Sequence, residues 1–340
     1  MNTSILSPKV QSSSSTKKGL RRLRVGLFGF GVVGTGVVKI LQEKRAEFQK
    51  LLQTDITIEQ ICVRDEAKAR EAMYPSDRIT TDAQAILEDE SIDCIIEVIG
   101  GEFEARDIIL RSLRNRKHVI TANKLLLSYD IEYLRQTAFR TGVQLLYAAS
   151  VCGSVPVLRA IDELASSDTI RSIRGIVNGS TNFILTAMSQ EGLSYTEACK
   201  EARRLGFLEA DPTLDVSGAD ATQKLSVLIY HAFGAHVLPT DIKREGIEGV
   251  TADDFVRAKA NNSTIKLIAH ASCDKFGKIE ASVAPEIVPL SHIFANTQNE
   301  FNALEIVADH AGPQLLYGKG AGSLPTASAV VSDLLELVRE

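Results

Sequence analysis

The sequence predicts an α/β fold, with a doubly wound parallel sheet in the first half of the chain and an α+β second half. Three observations carry this reading. An apolar strand, a glycine turn and an amphipathic helix follow one another over residues 23–42. Strand-like apolar runs then alternate with helical stretches as far as residue 147, the pattern of successive βα units. At residues 147–164, YAASVCGSVPVLRAIDEL, a glycine and a proline interrupt that series and a new helix begins. With 340 residues the chain exceeds one ordinary core and suggests about two domains, divided near residue 150.

Residues 1–22 hold six serines, a proline and five basic residues, and no acid precedes Glu43, so they are expected to form a disordered tail. The same composition also resembles an organelle transit peptide. Order is expected from Leu23, in LRVGLFGFGVVGTGVVKILQ. Gly29, Gly31 and Gly34 make GxGxxG: the first for a tight turn, the second for close backbone approach to a pyrophosphate, the third for helix–strand packing. The helix start adds positive dipole for phosphates. A motif set directly between strand and helix predicts a Rossmann-type dinucleotide site, against the alternative of a glycine-rich turn without a ligand.

The second strand is expected at residues 56–63, with Arg64 just past its end. An arginine there can pair with a 2′-phosphate, which favours NADP(H), while Asp65 next to it keeps NAD(H) open. Lys68, about one helical turn on, could add to that pocket or be solvated. Further strands are expected at 94–98, 118–121 and 143–147. Their ends line the cofactor crevice in a doubly wound sheet. Gly100 lies in EVIGG (97–101), and Lys124 ends TANK (121–124), just past a strand.

The second half opens at residues 170–188 with a strand, a polar turn and a helix whose expected cap is Ser180 or Thr181. A helix at 194–205 leads into the acidic stretch 205–224, and an apolar helix is expected at 216–234. Residues 254–273, 278–288 and 303–310 read as strands of a second sheet, and residues 317–340 turn on glycines into a final helix.

No apolar run reaches 18 residues, and 44% hydrophobic with 24% charged residues is a globular composition, so a membrane-spanning reading is excluded. A net charge of −5 gives no footprint for nucleic acid, leaving a small molecule as the expected partner. The five cysteines are odd in number, scattered and without a CxxC pair, which points to reduced thiols in a cytoplasmic compartment. The six histidines show no zinc spacing. Cys152 could be a thioester-forming nucleophile, but its apolar or small neighbours favour a buried inert thiol.

The stretch LGFLEADPTLDVSGADATQK (205–224) concentrates four carboxylates and one lysine. Asp220 and Lys224 stand at i and i+4 and share a helix face, with Glu209 and Asp215 in the lead-in. That suits carboxylates for an ammonium group beside a proton donor. An Asp215 cap and an exposed ion pair would account for the same residues.

Six separated motifs together resemble homoserine dehydrogenase: GFGVVG (29–34), EVIGG, TANK, NGSTNFIL (178–185), the acidic stretch through Leu225, and GKGAGSLPTASAVVSD (318–333). The resemblance covers nearly all of the chain expected to fold. It implies NAD(P)-dependent interconversion of L-aspartate 4-semialdehyde and L-homoserine, on the route to threonine and methionine. It also implies a nucleotide-binding domain at 23–150, a catalytic and dimerisation domain at 151–316, a C-terminal segment at 317–340 returning to the first domain, and a homodimer. Carried over by motif, Lys224 is the proton donor and Lys124 a second catalytic lysine. Glu209 and Asp220 bind substrate, with Asp215 and Ser180 as lesser contacts. Phe30, Gly31, Val33, Gly34, Arg64, Gly100, Lys124, Gly206 and Gly322 bind the cofactor. Lys124 is expected to lower the pKa of Lys224 as a neighbouring cation.

One position departs from the family. Where relatives carry a glutamate that helps hold sodium, this chain has Ala148, leaving only backbone carbonyls that map to Val151, Gly153 and Val155. A monovalent cation is therefore an open expectation. The chain ends just after the closing helix, with no extra regulatory domain expected. Two rivals stay open: an aldehyde dehydrogenase acting through Cys152, and a catalytically silent NADP-binding regulatory protein.

Overall fold

A computed structural model describes residues 20–65, 74–209 and 211–339. Most of the expected tail and Lys68 lie outside the described residues. The first sheet is built from β1 (Arg21–Phe28), α1 (Val32–Leu52), β2 (Thr54–Cys62), β3 (Ile79–Thr80), α2 (Ala83–Glu88), β4 (Cys94–Glu97), α3 (Phe103–Arg114), β5 (His118–Thr121), α4 (Lys124–Thr141) and β6 (Leu145–Leu146). All its pairings are parallel, in the order β3-β2-β1-β4-β5-β6. The order reverses at β1, which puts the crevice outside the ends of β1 and β4. Strand β1 begins two residues before the expected Leu23, because Arg21 and Arg22 pair with Thr54 and Asp55. Strand β6 is shorter than expected, since residues 148–150 coil into a 3-10 turn.

The second half contains α5 (Val157–Ser167), β7 (Ile170–Ile176), α6 (Gly179–Glu191), α7 (Tyr195–Arg204), α8 (Thr213–Val216), α9 (Ala219–Phe233), β8 (Lys243–Arg244), α10 (Ala252–Ala260), β9 (Ser263–Cys273), β10 (Ile279–Pro289), β11 (Phe301–Ala308), β12 (Gly312–Lys319) and α11 (Ser323–Arg339). Its strands form a mixed sheet in the order β12-β11-β7-β9-β10-β8. Leu304, Ile306, Ile173, Leu267 and Ala269 on one face join the apolar residues of α5, α6 and α9 in a single core. The other face holds a small cluster, Ile176, Ile268, Val288, Phe294 and Ala303, without those helices.

Several local expectations are corrected. Residues 252–260 are a helix, not strand: Thr251 and Asp254 form a reciprocal capping box that outweighs the strand propensity of Phe255 and Val256. The apolar helix starts at Ala219 rather than 216, because Gly218 takes a left-handed φ of 79° that separates α8 from α9. Residues 317–319 belong to β12, so the final segment leaves the second sheet only after Lys319. Helix α11 then packs on α1. A Cβ at Gly36 would lie 2.8 Å from that of Ala327, and Ser323 Oγ donates to the Val32 carbonyl at 2.6 Å. Ala327, Val330, Val331 and Leu334 complete the core on that side of the first sheet.

Candidate active site

The glycine turn comes directly from β1. Gly29 has φ 103°, where an L side chain is strained, and a Cβ there would lie 2.8 Å from the Val98 carbonyl oxygen of the neighbouring crossover. A Cβ on Gly34 would overlap the Gly29 carbonyl oxygen, so both positions require glycine. Gly31 opens on empty space and caps α1 without any side-chain hydrogen bond. The first amides of α1 therefore face open space in a cradle suited to a pyrophosphate. Phe30 is 6% exposed and belongs to the core, so any part it takes in binding runs through its backbone. Val33 is half-buried. Gly322, with φ 121°, lies next to this turn because Ser323 is tied to the first residue of α1.

Glu97 closes the floor of the crevice. It is fully buried, accepting from the amides of Ile99 (2.9 Å) and Gly100 (3.1 Å) and from Thr121 Oγ1 (2.5 Å). Burial pushes its pKa up, against those hydrogen bonds. The carboxyl fixes the EVIGG turn, in which Gly100 (φ 69°) and Gly101 (φ 79°) leave open space. Arg64 stands past β2 as expected, but its guanidinium is paired with Glu104 of α3 at 3.1 Å, both side chains well exposed.

Lys124 is the first residue of α4. Its N-cap, Asn123, accepts from the Leu126 amide and donates to the Gly101 carbonyl at 2.7 Å, tying this helix start to the EVIGG turn. A cation at a helix N-terminus opposes the macrodipole, and a carboxylate offsets it here. Lys124 Nζ lies 3.2 Å from Asp220 Oδ1. Asp220 is one turn before Lys224 in α9, and Lys224 Nζ lies 2.7 Å from Asp220 Oδ2 and 2.8 Å from the Val177 carbonyl oxygen. Two lysines 100 residues apart thus meet on one carboxylate that is 7% exposed.

Asn178 connects the remaining acids. It is the N-cap of α6, correcting Ser180 or Thr181: its Oδ1 accepts from the Thr181 amide at 2.8 Å. Its Nδ2 donates to Asp215 Oδ1 at 2.7 Å and to Asp220 Oδ2 at 2.8 Å. Asp215 lies inside α8 rather than capping α9, and its side chain accepts from Asn178. Burial raises the Asp215 pKa, with the negative charge of Asp220 adding to the rise. Burial works against the Asp220 charge too, but Lys224 and Lys124, with Asn178, outweigh it and hold the carboxyl well below the usual carboxylate range. For Lys224, burial pushes the pKa down, and the Asp220 carboxylate overrides this and raises it above the ordinary lysine value. The expected lowering by Lys124 is therefore corrected: Asp220 stands between the two ammonium groups.

Glu209 is exposed at the start of the acidic stretch, outside this hydrogen-bonded cluster. Gly206 ends α7 with φ 80° and open space at its α-carbon. Asn178 and Glu97 were not singled out from the sequence; an asparagine directly before the helix-starting GST was the available signal for the first.

Cys152 is 1% exposed, and burial pushes its thiol up to about 11, which leaves it un-ionised and closed to substrate. The neighbouring carbonyl segment does not fit a charged cation site. Ala148 presents a methyl group to a cleft of about 360 Å³, and the carboxylate nearest it, Asp333, already accepts from the Ala148 amide (2.9 Å) and Arg159 (2.7 Å). The Val155 carbonyl accepts from the Val157 amide at 2.7 Å. Neutral carbonyls, one of them engaged, are a weak donor set for an ion. Among the described residues no group of three or more His, Cys, Asp or Glu is arranged to hold a metal.

A nucleotide cradle at a sheet switch point, beside a Lys–Asp–Lys cluster in which Lys124 of the first half meets the buried Asp220 and Lys224 of the second, defines a nicotinamide-dependent oxidoreductase of the α/β class. The comparisons with known proteins narrow the class. Residues 29–148 match the homoserine dehydrogenase NAD-binding domain and residues 156–335 the homoserine dehydrogenase family model. Homoserine dehydrogenase of Bacillus subtilis is 42% identical over 320 residues, covering 94% of this chain and 74% of that protein. A crystal structure of a homoserine dehydrogenase from Thiobacillus denitrificans superposes with a TM-score of 0.90 at 37% identity, covering 94% of this chain and 74% of that one. A hyperthermophilic archaeal homoserine dehydrogenase mutant in complex with NADPH gives a TM-score of 0.77 at 26% identity, covering 93% and 97%. The chain belongs to the homoserine dehydrogenase family, NAD(P)-dependent oxidoreductases acting on a CH–OH group, which interconvert L-aspartate 4-semialdehyde and L-homoserine in threonine and methionine biosynthesis.

Proposed function

We propose that Lys224 is the proton donor of the reduction and that Asp220 is its clamp. The observation that carries this is the Asp220 carboxylate bonded at once to Lys224, Lys124 and Asn178. When bound, the nicotinamide supplies or accepts the hydride; the protein's own task is the proton and the substrate. In the reducing direction the Lys224 ammonium, kept protonated by Asp220, gives its proton to the aldehyde oxygen. In the oxidising direction the same amine must first be neutral to take the hydroxyl proton. Lys124, on the start of α4 beside the EVIGG turn, supplies positive charge toward the developing alkoxide.

The carboxylates are read here in a different order from the family resemblance. Both Asp220 oxygens are committed to the lysines and Asn178, whereas the Asp215 carboxylate, among the described residues, accepts from Asn178 alone. Asp215 therefore takes the substrate ammonium group, and the exposed Glu209 joins it from the loop. On the cofactor side Gly31, Gly34 and Gly100 admit the dinucleotide backbone, with Val33, Gly206 and Gly322 at its rim and Arg64 on the adenosine ribose. NADP(H) is the preferred cofactor through Arg64, in keeping with the NADPH bound by the archaeal relative. The segment around Val151 to Val155 plays no part through an ion.

The nucleotide-binding unit comprises residues up to about 150 together with α11, and the catalytic unit runs from 151 to 319. Its second sheet pairs two chains in a homodimer, which would cover Leu315 (44% exposed) and Tyr317 (51%), neighbours on one side of β12. Five free thiols suit a reducing, cytoplasmic compartment. Among the described residues no helix is long and apolar enough to cross a membrane. The test is an initial-rate comparison of homoserine oxidation with NADP and NAD. A kcat/KM at least about tenfold higher with NADP is expected from one charge-assisted phosphate pair; equal values would remove Arg64 from the cofactor site.

A further inference from the structure

Lys266 is a buried lysine that the chemistry above does not use. It sits in β9, 2% exposed, three residues before Ala269, the residue at which pairing with β7 begins opposite Gly175. Among the described residues it forms no ion pair: Glu286, its neighbour across the β9–β10 ladder, is bonded to Arg174 at 2.6 Å, and Lys266 Nζ donates to Asn182 Oδ1 at 2.9 Å, Thr297 O at 2.7 Å and Thr186 Oγ1 at 3.2 Å. Burial pushes its pKa down to about 8. An ammonium group held only by neutral acceptors is costly to bury, so packing alone does not account for it.

Its acceptors show what it organises. With Asn182 Oδ1 fixed on Lys266, the Nδ2 end of that amide must point the other way. Its two N–H groups there are shared among three backbone carbonyls, Thr297 (3.1 Å) and Asn299 (2.9 Å) of one loop and Phe301 (3.3 Å) at the start of β11. The loop contains a left-handed non-glycine residue, Asn299 at φ 54°, a conformation that surrounding contacts have to hold. Its next residue presses on the first turn of α6: a Cβ at Gly179 would lie 2.9 Å from the Glu300 carbonyl oxygen. That turn carries Ser180 and is capped by Asn178, whose Nδ2 holds Asp215. A continuous set of contacts thus runs from Lys266 through Asn182 and the 297–300 loop to the Asn178–Asp215 contact.

We propose that Lys266 is a positioning residue for substrate binding: it orients the Asn182 amide, which sets the 297–300 loop as a buttress for the Asn178–Ser180 turn and so places Asp215. This rests on the reading that Asp215 receives the substrate ammonium group. Lys266 itself lies in the second sheet and touches neither the nucleotide cradle nor the Lys124–Asp220–Lys224 cluster. Its loss should therefore weaken homoserine binding and spare the cofactor and the proton transfer.

The test compares three variants of the full chain, Lys266→Met, Asn182→Asp and Asp215→Asn, by KM for homoserine, KM for NADP, kcat and thermal midpoint. Asn182→Asp gives Lys266 a carboxylate partner while removing the amide donor to the loop, so it separates loop positioning from stability. For Lys266→Met and Asn182→Asp, KM for homoserine should rise about tenfold, with kcat and KM for NADP within about threefold, whatever the thermal midpoint does. A homoserine KM within twofold of the parent in a folded Asn182→Asp variant overturns the proposal. So does a KM that changes only in proportion to lost stability across the two variants. Asp215→Asn separates the two readings: if it too leaves KM unchanged, the assignment of Asp215 fails, and if it raises KM alone, only the role of Lys266 fails.

Discussion

Asp220 and Lys224 form an ion pair inside one helical turn, Nζ to Oδ2 2.7 Å, with the lysine side chain 12% and the aspartate side chain 10% exposed. Out on a helix surface such a pair is worth about 0.3–0.5 kcal/mol. Here burial removes solvent screening, and breaking either half leaves an uncompensated buried charge. The pair therefore sets the protonation state of the site as well as its shape.

The pH dependence follows with a definite sign. Lys224 is raised, so it is charged throughout neutral pH, and the neutral amine needed for homoserine oxidation forms only as pH rises into the alkaline range. Oxidation should climb with pH, and reduction of the semialdehyde should fall over the same range. Asp220→Asn removes the group that raises Lys224, so the alkaline limb of the oxidation profile should move to lower pH while kcat drops about a hundredfold from lost orientation. For stability the signs are separate. The raised Lys224 contributes stability that is complete below its unfolded pKa and lost as pH rises through the folded value; the depressed Asp220 contributes stability present above its unfolded pKa and lost as pH falls through the folded value. A kcat profile from pH 6 to 11 for both proteins checks the shift; an unmoved limb would mean that Asp220 does not tune Lys224.

How much of this was legible in the sequence depends on the range of each contact. The glycine turn and the i, i+4 relation of Asp220 to Lys224 are local and could be read directly. The meeting of Lys124 with Asp220 spans 96 residues and that of Asn178 with Asp220 spans 42; neither leaves a local trace. The contacts of Asp220 with Lys124 and Asn178 are therefore visible in the fold alone. Helix α10 was misread because Phe255 and Val256 suit a strand, while the Thr251–Asp254 box that decides the matter consists of two ordinary polar residues.

Glu104 competes for the residue expected to choose the cofactor. The Arg64–Glu104 pair is exposed on both sides and weak, so a 2′-phosphate can displace it at little cost. Glu104→Gln should lower KM for NADP about twofold to threefold and leave NAD unchanged, while Arg64→Ala should raise KM for NADP about tenfold. Initial rates with each cofactor measure both effects; parallel changes for NADP and NAD would place Arg64 away from the ribose phosphate.

Sodium should matter little. With Ala148 in place of a carboxylate and the Val155 carbonyl engaged, replacing sodium by tetramethylammonium at constant ionic strength should change kcat/KM by less than about twofold. A tenfold loss would show that the carbonyls of Val151 and Gly153 hold an ion on their own.

The most direct test of the account is Lys224→Ala, assayed for turnover in both directions and for NADPH binding by fluorescence titration. Lys224 lies on α9, apart from the glycine cradle, and its Nζ bonds to Asp220 and the Val177 carbonyl. Turnover should fall at least about a thousandfold, at the upper end for loss of a general acid and an electrostatic contact together, with the Kd for NADPH within about threefold. Turnover within about tenfold of the parent enzyme would contradict it.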